Sequence, residues 1–190
     1  MVHSSNQICI QHLKPDDALQ LNKLLVSNTE RFIRFLPKTL AANRTLESTR
    51  SYIKGKMATA EAKSEFVFTI KDRYAINIIG LVILKNIDWD AKQGEFAYCI
   101  GKRAKGKGLM SEAIKATSQY AIEELGLKTL QIISHKSNLG SVNVALNSGF
   151  VWKETLPEEF TPLNESPLDM ELYELRPDRF RKPVRSNLNR

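Results

Sequence analysis

The run from Glu95 to Phe150 limits this chain more than any other part of it. A strand-like stretch, Glu95 to Ile100, enters the turn Arg103-Ala-Lys-Gly106-Lys-Gly108-Leu-Met110. A helical pattern follows, with Met110, Ala113, Ile114, Thr117, Ala121 and Leu125 on one face and Gly126 as its stop. Lys128 to Ser134 reads as a second strand, and a short helical run after Asn138 ends at Gly149-Phe150. Strand, helix, strand, helix through short connections is a βαβ signature, so the two strands should be parallel.

The rest of the chain argues for antiparallel pairing. Ile8 to Leu13 alternates as a strand, and Lys14-Pro15-Asp16-Asp17 opens a helix whose apolar face holds Ala18, Leu21, Leu24 and Leu25. Thr29 to Pro37 is less regular, and its Phe32, Ile33, Phe35 and Leu36 read as core packing, with a mobile helix beside a substrate cleft as the alternative. Thr45 to Ala62 is helical again, with Leu46, Ile53, Met57 and Ala60 in phase. Glu65 to Lys71 and Ile76 to Leu84, separated by Asp72-Arg73, form a hairpin. Asn86 to Lys92 is the next turn, and a final strand pair covers Phe150 to Lys153 and Asp169 to Leu175. The expected fold class is α/β: a mixed sheet, mostly antiparallel, with a central parallel pair flanked by helices. At 190 residues one core is the default, so residues 1–175 are expected to form a single domain and residues 176–190 a basic tail.

Charge sets the next limit. The chain carries 28 Lys and Arg against 21 Asp and Glu, a net +7; without the tail these become 22 and 20. The excess is therefore mostly terminal, and a Pro-interrupted tail favours a solvated end over a nucleic-acid arm. No membrane-length apolar run and no signal-peptide pattern occur, so the expected location is cytoplasmic, with no membrane partner. Cys9 and Cys99 belong to no metal-ligand spacing, and His3, His12 and His135 are scattered, which leaves a metal site without ligands.

The glycine turn is the chemical feature. Gly106 and Gly108 permit positive φ, so consecutive N–H groups can converge, and the helix N-terminus behind them favours an anion. Lys102, Arg103, Lys105 and Lys107 supply matching charge. A dinucleotide G-x-G-x-x-G fails at Ser111, and a Walker A loop fails at Gly108, where a hydroxyl would hold Mg²⁺.

Arg103-x-x-Gly106-x-Gly108 between a strand and a helix resembles the pyrophosphate loop of the GNAT acetyltransferases, R/Q-x-x-G-x-G/A. Asn138-x-x-Ser141-x-x-Val144, ending at Gly149-Phe150, resembles that superfamily's second element on the coenzyme A side. Within it the chain is most similar to the RimJ/RimL branch of ribosomal-protein N-terminal acetyltransferases. Glu95-Phe-Ala-Tyr98-Cys-Ile100 is similar to the branch's E-I-G-Y-W-L strand, and Ala121-Ile-Glu-Glu-Leu-Gly to its helix end. Leu163-Asn164 and Asp169 to Tyr173 resemble its C-terminal segments, while Ala97, Cys99, Pro162 and Pro167 depart from them.

The resemblance implies a GNAT fold and an acetyl-CoA-dependent N-acetyltransferase acting without a metal. Its acceptor would be the N-terminal α-amine of a protein, of the ribosomal-protein type, or of a peptide. The alternatives are a small-molecule amine, or a noncatalytic module binding coenzyme A, RNA or the ribosome. Monomer and homodimer both remain open. Backbone groups of Tyr98, Cys99 and Ile100 would meet the thioester and pantetheine, and N–H groups from Lys105 through Gly106, Lys107, Gly108 and Leu109 to Met110 the pyrophosphate. Ser141 would assist the departing thiolate and Asn138 contact pantetheine. Glu159 matches the glutamate of the branch's E-Y-L-N-G segment as the base, with Glu158 beside it and Glu95 a weaker candidate. Cys99 has no histidine near it in sequence and reads as a small buried thiol rather than an acyl carrier.

Overall fold

The computed structural model describes residues 1–73 and 77–177. Among the described residues, eight strands form one sheet in the order β1-β2-β3-β4-β5-β6-β8-β7. They are β1 His3–Ser4, β2 Ile8–His12, β3 Phe66–Asp72, β4 Ile78–Asp88, β5 Gln93–Ile100, β6 Thr129–Ser134, β7 Val151–Phe160 and β8 Leu168–Leu175. The helices are α1 Ala18–Val26, α2 Thr29–Phe32, α3 Pro37–Ala41, α4 Leu46–Glu61, α5 Leu109–Glu123 and α6 Leu139–Asn147.

Strand alternation sorts the side chains into two layers. Val67, Leu81, Ile83 and Cys99 face α1 to α4, packing with Leu21, Leu25, Phe32 and Ile53. Phe68, Val82, Leu84, Phe96 and Ile132 face the other way, against Ala113 and Ile114 of α5 and Ala145 of α6. The expected parallel pair is β5 with β6; the other pairings are antiparallel.

That parallel pair is short. Gln93 to Phe96 pair with Thr129 to Ile132, and the two strands then separate. β4 holds β5 as far as Ile100, while β6 continues against β8 to Ser134. Residues 97–100 of β5 thus keep one edge without a strand neighbour, and a wedge opens through the sheet there.

The C-terminal part of the sheet differs from expectation. β7 reaches Phe160, so Glu158 and Glu159 lie on a strand and not in a loop. Its residues are exposed except Leu156 and Phe160, because it is the outermost strand, and period-two hydrophobicity therefore does not mark it. Pro157 is tolerated at such an edge, beside a register shift where Glu158 takes φ 50°. The expected hairpin is β3–β4, with β4 starting at Ile78 rather than Ile76; residues 74–76 of its turn lie outside the described residues. Of the basic tail, everything beyond Pro177 lies outside them too.

Candidate active site

The glycine turn leaves the end of β5 through a single 3-10 turn, Lys102–Ala104, and enters α5. Gly106 has φ 79° and Gly108 φ 74°, and a Cβ at either would meet no atom within 4 Å. Glycine is needed there for backbone handedness, and the space beside the backbone is open to a ligand. Gly108 is also the N-cap of α5 and has no side chain to cap it, so the first-turn N–H groups remain available to an anion. The turn is braced by Asn28, whose Oδ1 accepts the Lys102 N–H at 2.9 Å while its Nδ2 donates to the Leu24 carbonyl at 2.8 Å.

A cavity of about 520 Å³ runs from this turn into the wedge. Across it, α6 starts at Asn138, whose Oδ1 accepts the Ser141 N–H at 3.4 Å. The expected N-cap therefore exists, and both residues still face the cavity. Tyr98 reaches over from β5: its phenol donates to the Ser141 carbonyl at 3.0 Å and lies 2.8 Å from Ser141 Oγ. Burial pushes the Tyr98 phenol well above its ordinary pKa, so it stays protonated near neutrality. Burial likewise pushes the Cys99 thiol up to about 12, which removes it as a nucleophile and agrees with a packing role.

A second cavity, of about 450 Å³, lies between α3, α4, the middle of β4 and β5 and the end of β7. It shares Phe35, Leu36, Tyr98, Asn138 and Ser141 with the first, so the two meet at the wedge. Lys56 pairs with Glu65 and Lys85 with Glu95, each at 2.7 Å; Asn86 Nδ2 donates to the other Glu95 oxygen, also at 2.7 Å. Outside this cavity, the α2–α3 connection and the β7–β8 connection are joined by a two-pronged Arg34–Glu165 ion pair at 2.9 and 2.7 Å. Phe35 and Phe160 approach beside it, with ring centroids 6.1 Å apart.

Tyr98, Cys99, Ile100, Lys105, Gly106, Gly108, Leu109, Met110, Asn138 and Ser141 all line the first cavity. Arg103 and Lys107 do not; they line a wider concavity on the far side of the turn, beside Asn28 and Lys102. Glu159 lines the second cavity, whereas Glu158 lines neither, its N–H donating to Asp169 Oδ1 at 3.0 Å. Glu95 reaches the second cavity with its carboxylate already engaged. Phe35 and Leu36 wall both cavities, as the cleft alternative for this segment has it, while Phe32 is core and also lines the first. Asn28 carried no sequence signal, since its partner is 74 residues away.

The model of the acetyltransferase (GNAT) domain matches residues 7–151. The Bacillus subtilis (strain 168) protein named Probable N-acetyltransferase YjcK is 31% identical over 144 residues, covering 75% of this chain and 80% of that protein. Among solved structures, the ribosomal-protein-S5-alanine acetyltransferase from Vibrio fischeri superposes with a TM-score of 0.86 at 20% identity, over 95% of this chain and 98% of that one. RimL, a ribosomal L7/L12 α-N-protein acetyltransferase solved with coenzyme A, gives 0.83 at 16% identity, over 92% and 97%. At those identities the structures speak for the fold, and both are of the ribosomal-protein type that the strand and helix-end motifs resemble. With its domain matched over most of its length and a relative above 30% identity, the chain belongs to the GNAT acetyltransferase family, enzymes that take their acetyl group from acetyl-CoA.

Proposed function

We propose that this acetyltransferase acts on the N-terminal α-amine of a protein or peptide, of the ribosomal-protein type, in the cytoplasm. The observation that carries the reading is the meeting of two cavities at Tyr98, Asn138 and Ser141, one reaching the glycine turn and the other running between α3, α4 and the end of β7. One suits a phosphate-bearing donor; the other is a separate cleft open to a chain end.

Acetyl-CoA supplies the activated acyl group. The N–H groups from Lys105 to Met110 hold its pyrophosphate at the α5 N-terminus, and the unpaired edge of β5 at Tyr98 to Ile100 aligns its arm. Asn138 fixes the start of α6 and hence Ser141. Ser141 Oγ–H hydrogen-bonds the departing sulfur, and the protonated Tyr98 phenol supports it by turning its single proton from the Ser141 carbonyl to Ser141 Oγ. Glu159, at the acceptor side, takes the proton that the ammonium form of the acceptor must lose before its lone pair can attack.

The test is thiol release from acetyl-CoA against hexapeptides with free and blocked N-termini, with spermidine in parallel. Turnover of free but not blocked peptides is the expected result. Turnover of spermidine alone would move the acceptor to small amines. Stabilisation by RNA and not by acetyl-CoA in a thermal-shift assay would remove the catalytic reading altogether.

A further inference from the structure

Six charged side chains line the acceptor cavity: Lys38, Lys56, Lys85, Glu65, Glu95 and Glu159. Four neutralise one another, as Lys56 with Glu65 and Lys85 with Glu95. The side chains of Lys38 on α3 and Glu159 on β7 are left, with no hydrogen bond or ion pair from any described residue. They stand on different walls of one cavity, one cation and one anion. A polyamine brings several positive charges and would meet a single free carboxylate together with an opposing lysine. An amine with a negative group nearby meets a partner for each end.

Building on the N-terminal reading, we propose that Lys38 selects peptides with Asp or Glu at the second or third residue. The α-amine lies toward Glu159 and Ser141, and the acidic side chain reaches Lys38. An extended peptide advances about 3.3–3.6 Å per residue, and lysine's flexible four-carbon stem lets its ammonium follow the side chain of the second or third residue. The other charges stay occupied, so the cavity has this one cationic subsite.

Wild type, Lys38→Ala and Lys38→Glu are assayed on hexapeptides that share a sequence except for Asp, Ala or Lys at residue two or three. In wild type the expected order of kcat/KM is Asp, then Ala, then Lys, spanning about tenfold at low salt and shrinking at about 0.5 M salt. Lys38→Ala flattens the order, Lys38→Glu reverses it, and KM for acetyl-CoA stays unchanged in all three. Peptides turned over with the same order in all three enzymes would overturn the subsite and leave the N-terminal reading standing. Spermidine turned over in place of every peptide would overturn both.

Discussion

Removing the Tyr98 hydroxyl tests whether the wedge works as a unit. Tyr98→Phe keeps the ring and deletes both contacts to Ser141, at 3.0 and 2.8 Å. A net hydrogen bond is worth about 1 kcal/mol, so kcat/KM should fall about fivefold if the phenol acts through Ser141. Ser141→Ala removes the donor to the sulfur itself and should cost about a hundredfold, the lower end for proton-transfer groups. The double variant should then match Ser141→Ala alone, because the phenol keeps its bond to the residue-141 carbonyl but has no hydroxyl left to support. Steady-state thiol release on all four enzymes gives the cycle. Independent losses, about five-hundredfold together, would refute the coupling.

The same cycle carries a pH signature. Burial holds the Tyr98 phenol above its ordinary value of 10.0, so the wild-type to Tyr98→Phe ratio should stay flat from about pH 6 to 9. A raised folded-state pKa contributes stability that is complete below pH 10 and lost as pH climbs toward the folded value. Urea melts of wild type should therefore lose ground to Tyr98→Phe above about pH 10. A gap independent of pH would mean that the phenol is not buried as described.

Glu159→Gln should lower kcat/KM most at low pH, where deprotonating the acceptor limits the rate; an unchanged profile in a pH–rate series would rule out Glu159 as the base. Asn28→Ala should raise KM for acetyl-CoA about tenfold by freeing the Lys102 N–H, with the acceptor's KM unmoved, as read from two-substrate kinetics. Cys99 should resist a disulfide reagent at pH 8, where a thiol near 12 is about one part in ten thousand thiolate; Cys9 should be the first to label, and mass spectrometry distinguishes them. Asp17→Asn should cost about 3 kcal/mol in urea melts, because Asp17 and Lys71 are 3% and 8% exposed and the lysine would be left buried without its partner.

Local chemistry explains what could be read from the residues alone. Gly106 and Gly108 announced a left-handed backbone, and both have it; Asn138 announced a helix start, and its Oδ1 caps α6. Such features depend on a few adjacent residues, so sequence carries them. Arg103 and Lys107 show where adjacency misleads. Their charge matched a phosphate, yet successive residues of a tight turn point to different sides, and these two line the concavity behind the loop. β7 is legible only to Lys153; its extension to Phe160 escapes because an edge strand with polar residues on both faces has no hydrophobic period to detect. Phe35 and Leu36 are legible as either core or cleft, because an apolar side chain walling a cleft has the same sequence signature as one filling a core. The wedge itself is a relation between β5 and β6, set by where their pairing stops at Phe96 and Ile132. Neither strand's composition marks that point, and it decides where the two cavities meet beside Tyr98 and Ser141.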